Sequence, residues 1–134
     1  MRRDRAGLKQ GDVLFEETIA PAGRARVALF SEATEDPNPI HVDDDFAHKA
    51  GFPTVLQQGP MTTAQFAELL AQAVGDDAVT LLDVTFTAPV YPEDTLILRA
   101  EIAEPGPLTR CTLSAVKSDG TQTAKGFAEV RMPA

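Results

Sequence analysis

From residue 79 onward the hydrophobic period of this chain changes to two, and that switch limits the fold more than any other feature. The runs VTLLDVTFTAPV (79–90), DTLILRAEIAE (94–104), TRCTLSAVKS (109–118) and TQTAKGFAEVRM (121–132) alternate or nearly alternate, with turn signals YPED, EPGP and SDG between them. Four strands in series with short connections predict an antiparallel meander. Just before them, QGPMTTAQFAELLAQAVGDD (58–77) has a helical period, with Phe66, Leu69, Leu70, Ala73 and Val74 at i, i+3, i+4, i+7 and i+8. Pro60 suits the start of that helix and Gly75 its end, and its broad apolar side fits a helix laid against a sheet. DVLFEETIA (12–20) reads as an additional first strand. The pattern therefore predicts an α+β domain of about five antiparallel strands and one long helix. At 134 residues, with no internal repeat or linker, the chain is expected to form a single domain over residues 1–134.

The segment between the first strand and the long helix is of a different kind. ARVALFSEATED (25–36) has Val27, Phe30 and Ala33 at three-residue steps and predicts a short helix. It runs into EDPNPIH (35–41), where Pro37 and Pro39 fix their own φ and push Asp36 and Asn38 toward extended geometry. A loop this stiff loses little entropy on ordering, so it can present a carboxylate, an amide and an imidazole at nearly constant separation. VDDDFAHKAGF (42–52) then predicts one or two helical turns, with an aspartate as N-cap and Gly51 as terminator.

Charge and composition exclude several classes of function. A formal charge of −8 and a pI near 4.6 oppose a backbone-tracking role on nucleic acid. No apolar run approaches membrane-spanning length, and the basic start MRRDRAGLKQGD is not followed by an apolar stretch, so a soluble cytoplasmic protein is expected. The single cysteine, Cys111, cannot form an internal disulfide and reads as a small buried hydrophobe. His48 with Asp43, Asp44 and Asp45 could suggest a metal site, but consecutive aspartates point in different directions on a helix and their spacing fits no calcium loop. A solvated helix start is the reading here, and the cations, Arg24 and Arg99 among them, read as ordinary surface or strand-face charges.

The order of strand, long helix and four strands resembles the hot-dog fold, in which a sheet wraps around a central helix. FSEATEDPNPIHVDDDFA (30–47) is similar to the signature of MaoC-like (R)-specific enoyl-CoA hydratases, in which Asp-x-Asn-Pro-x-His is followed after five residues by Ala or Ser. Those positions are Asp36, Asn38, Pro39, His41 and Ala47. TFTAPVYPEDTLILRAEI (85–102) resembles the strand, proline turn and strand downstream in the same family, so the likeness runs from about residue 10 to the end.

The resemblance implies hydration of trans-2-enoyl thioesters, or the reverse dehydration, on an acyl-CoA or acyl-carrier-protein substrate, with no cofactor and no metal. Such a reaction needs a base for water and an acid for the α-carbon. Carboxylates are ionised at neutral pH and imidazoles exchange protons near it. The resemblance assigns these roles to Asp36 and His41, leaving open which is the base. It assigns the backbone N–H of Gly59, at the start of the long helix, to the enolate oxygen. Asn38 reads as a support of the loop through an Asx-type turn, and Thr62, Thr63 and Gln58 as residues of the substrate pocket. Three positions depart from the family pattern: Gln58 stands where histidine is frequent, Thr34-Glu35 replaces a small residue plus glycine, and Ala64 stands where serine is frequent. A homodimer is expected, with a heterodimer as the other possibility. The rival functions are a hot-dog acyl-thioesterase and a non-catalytic acyl-thioester-binding partner subunit.

Overall fold

The computed structural model describes residues 7–132, so the first residues of the basic N-terminal stretch lie outside it. In chain order the elements are β1 (Val13–Ile19), α1 (Arg24–Ala33), a 3-10 turn (Pro39–His41), α2 (Asp44–Lys49), α3 (Gly59–Val74), β2 (Val79–Phe86), β3 (Leu96–Glu104), β4 (Leu108–Lys117) and β5 (Gln122–Arg131). The five strands make one antiparallel sheet in the order β1-β3-β4-β5-β2. This is the hot-dog arrangement, one long helix held against the inner face of one sheet.

Alternation in the sequence is read out directly in β3 and β4. Leu96, Leu98, Ala100 and Ile102 of β3 are buried, as are Cys111, Leu113 and Ala115 of β4, while the residues between them are at least partly exposed. Burial pushes the Cys111 thiol up to about 11, which makes it a core residue at ordinary pH. Against these inward positions lie Phe66 and Leu70 of α3, both fully buried. Removal of each such side chain from water contributes about 1.5–3 kcal/mol. Gly75, at φ 107, ends the helix in a backbone region that favours glycine.

The sheet departs from a simple meander. β3, β4 and β5 are consecutive neighbours, but β2 pairs with β5 and stands across the sheet from β3. The β2–β3 connection is therefore a crossover, and backbone hydrogen bonds tie it to the elements around it. Thr87 N–H donates to the Thr123 carbonyl at 2.9 Å, Gln57 N–H to Val90 at 2.7 Å, and Gly23 N–H to Pro92 at 2.9 Å. Pro89 and Pro92 cannot donate to a strand ladder, which keeps the segment out of the sheet. β2 can lie beside β5 because of Gly126. A Cβ there would collide with the Asp83 carbonyl oxygen.

The first helix is shorter than the sequence predicts, ending at Ala33 instead of reaching Asp36. Glu35 adopts φ 55, and three bonds close the end: Thr34 N–H to Phe30, Glu35 N–H to Glu32 and Asp36 N–H to Ser31, at 3.0, 3.2 and 2.9 Å. The last of these is the six-to-one bond of a Schellman ending. α2 matches its expected signals: Asp43 caps it through Oδ1, and Gly51, at φ 96, follows its C-cap. Among the described residues, no helix is long and apolar enough to cross a membrane.

Candidate active site

The Schellman ending of α1 delivers Asp36 to the start of the proline loop, and a relay of side-chain bonds carries the geometry to His41. Asp36 Oδ1 accepts from the Asn38 N–H at 3.0 Å, which forms an Asx turn. Asn38 Oδ1 in turn accepts from the Ile40 N–H at 3.1 Å and caps the 3-10 turn that carries His41. Left-handed backbone costs a residue such as Glu35 about 1–2 kcal/mol relative to glycine. The chain bears that cost at the residue that aims Asp36.

His41 is held from the other side by the segment leading into α3. Its Nδ1 lies 2.8 Å from the Leu56 carbonyl oxygen, and the Leu56 N–H donates to the Ile40 carbonyl at 3.1 Å. A carbonyl can only accept, so Nδ1 carries the proton and Nε2 of the neutral ring presents a lone pair. Nε2 stands 3.5 Å from Asp36 Oδ2. Two proton acceptors thus face one another, beyond the usual direct hydrogen-bond range of about 2.7–3.2 Å.

His41 lines a cavity of about 350 Å³ together with Leu56, Gln58, Gly59, Thr62 and Phe86. Asp36 is not part of the wall and reaches the cavity through His41. Thr62 faces the cavity and receives a bond from Gln57 Nε2 at 3.2 Å. Thr63 does not line it, because the next residue on a helix is turned by about 100°. Ala64 is exposed and also absent from the wall. Much of the wall is apolar, including Phe52, Pro89 and Val90, which lowers the local dielectric and strengthens any bond made inside. Gly59 is the first residue of α3, so its N–H has no acceptor within the helix and sits at the positive end of the helix dipole. The Phe86 ring covers this glycine so closely that a Cβ would lie 2.6 Å from its nearest carbon.

Gln58 is only 1% exposed. Its Nε2 donates to the Val27 carbonyl at 2.8 Å and to Ser31 Oγ at 2.6 Å, whereas Oε1 is buried with no hydrogen-bond partner. An orphaned buried acceptor costs about 1–3 kcal/mol.

Sequence reasoning missed two supports. Asp44 is more than part of a solvated helix start: its Oδ1 accepts from Arg24 Nη2, Thr54 Oγ1 and the Val55 N–H, at 3.0, 3.0 and 3.1 Å. It thereby ties α1 and α2 to the irregular segment that carries Leu56. The Arg24 hydrogen bond holds the Asp44 carboxyl below its ordinary range and raises the guanidinium in return. The second support is the crossover, whose Ala88, Pro89 and Val90 wall the cavity. Its proline content was the available signal. Among the described residues, no three of His, Cys, Asp and Glu gather as a ligand set for a metal.

Residues 8–123 match the family described as MaoC like domain. An (R)-specific enoyl-CoA hydratase of Aeromonas caviae is 29% identical over 116 residues, which cover 83% of this chain and 87% of the relative. A 3-hydroxybutyryl-CoA dehydratase of Methylorubrum extorquens is 31% identical over 111 residues, covering 80% of this chain and 71% of that one. Among solved structures, the (R)-hydratase from A. caviae involved in PHA biosynthesis superposes with a TM-score of 0.84 at 25% identity, covering 96% of this chain and 99% of that one.

Proposed function

The chain belongs to the MaoC-like domain family, and we propose that it hydrates trans-2-enoyl thioesters to (3R)-hydroxyacyl thioesters or catalyses the reverse dehydration. The observation that carries this reading is the facing of Asp36 Oδ2 and His41 Nε2 at 3.5 Å, with Nδ1 already committed to Leu56. The activities in the names of the two curated relatives support it.

In the hydration direction, one water donates to both acceptors. Its oxygen attacks C3 of the enoyl group as one of the pair takes its proton. The C2–C3 π electrons shift into the thioester, and the Gly59 N–H stabilises the negative charge that develops on its oxygen. A proton returned to C2 completes addition of H and OH across the double bond. Binding these groups on a stiff loop and a helix end supplies much of the orientation that the reaction requires. The acyl group arrives on coenzyme A or an acyl carrier protein.

The same reading has the chain act as a homodimer. β2 lies at an edge of the sheet, and Leu81 and Phe86 on it are about half exposed. A second copy against this edge would cover them and the flank of the cavity that Phe86 forms.

The test is turnover of short trans-2-enoyl-CoA substrates, followed both as loss of enoyl-thioester absorbance and as release of free thiol. Absorbance loss without thiol supports the hydratase. Stoichiometric thiol release means acyl-thioester hydrolysis, and binding without either change means a partner subunit.

A further inference from the structure

Ser31 touches both halves of the site. Its backbone carbonyl accepts the Asp36 N–H at 2.9 Å, and its Oγ accepts from Gln58 Nε2 at 2.6 Å. Gln58 immediately precedes Gly59. It occupies the N-cap of α3 without capping it, since its side chain makes no bond to the helix start. Instead it reaches back to α1, where its second amide proton goes to the Val27 carbonyl at 2.8 Å.

We infer that Ser31 and Gln58 form a clasp that sets the spacing between the Asp36–His41 pair and the Gly59 amide, and that both are positioning residues. The inference rests on the hydratase reading for its kinetic meaning. Its physical basis is separate. Both hydrogens of one amide nitrogen are directed at α1, so the group cannot rotate without losing both bonds. Its carbonyl is left orphaned in the interior, an arrangement that stability alone would not favour over an apolar side chain. A histidine in this place has one hydrogen per ring nitrogen and would keep only one of the two bonds.

The experiment compares the parent with Gln58→Leu, Ser31→Ala, the double variant and Gln58→His. It reads kcat, KM, Tm and amide hydrogen exchange. A shift of about 1 Å in a reacting group can cost on the order of 100-fold, so Gln58→Leu is expected to lower kcat 10- to 100-fold, with KM changed less than about threefold. Its Tm should move little, because the orphaned acceptor leaves with the two bonds. The double variant should be no slower than Gln58→Leu, and Gln58→His should recover part of the rate. Exchange should accelerate together at residues 36–41 and 56–62 while the sheet is unchanged.

A Gln58→Leu rate loss that merely tracks the folded fraction overturns the clasp, as does unchanged kcat. If the parent itself does not hydrate enoyl-CoA, the functional reading fails, and exchange alone decides. Coupled acceleration then sustains the clasp, and unchanged exchange overturns it.

Discussion

Nε2 of His41 faces Oδ2 of Asp36 at 3.5 Å, while Nδ1 of the same ring is bound to the Leu56 carbonyl at 2.8 Å. The neutral ring should therefore hold its proton on Nδ1. Long-range proton–nitrogen NMR at alkaline pH is expected to show this tautomer for His41. The Nε2–H form would remove the lone pair on which the proposed water contact depends.

Gly59 carries a steric prediction. A methyl group there would come within 2.6 Å of the Phe86 ring, although the backbone N–H would remain. Gly59→Ala should displace the ring or the helix end and lower kcat on the order of 100-fold. The Gly59→Ala, Phe86→Leu double variant should recover much of that loss, because the shorter side chain yields the space. Steady-state kinetics of the two variants check this.

Gly126 is a matter of stability. Backbone, not a side chain, occupies the space its Cβ would need, and the conflict with the Asp83 carbonyl cannot be relieved by a rotamer change. Gly126→Ala should separate β2 from β5 and cost about 2 kcal/mol or more. Urea unfolding should show it, and a change under about 1 kcal/mol would mean that the strands adjust freely.

Asp44 should leave a mark on acid stability. Its carboxyl is held below the ordinary range, first by the bond from Arg24 and then by Thr54 and Val55. A group with a depressed folded pKa stabilises above its unfolded value, near about 4, and loses that effect as pH falls through the folded value. Asp44→Asn should thus be less stable than the parent at pH 6. The gap should shrink as pH falls below about 4, as read from Tm across pH.

Much of this architecture was legible in the sequence because each element has its own local cause. The two-residue period of β3 and β4 and the spacing of Phe66 and Leu70 are satisfied within one strand or one helix. The Asp36–His41 loop was legible for the same reason, since Pro37 and Pro39 act on their immediate neighbours. What was missed depends on distant partners. The place of β2 beside β5 rests on the absence of a side chain at Gly126 and on a crossover pinned by Gln57 and Gly23. Asp44 looked like one of three equivalent aspartates until Arg24 and Thr54 converged on it. Thr63 and Thr62 could not be told apart without knowing which face of α3 meets the cavity.

The most direct test of the account is kcat for hydration of a short trans-2-enoyl-CoA by the parent, Asp36→Asn and His41→Gln, each shown to be folded by circular dichroism and Tm. Loss of a general acid–base group typically costs about 10²–10⁴-fold, so each variant should fall at least 100-fold below the parent. Full rate in either folded variant would contradict the claim that Asp36 and His41 activate the water together.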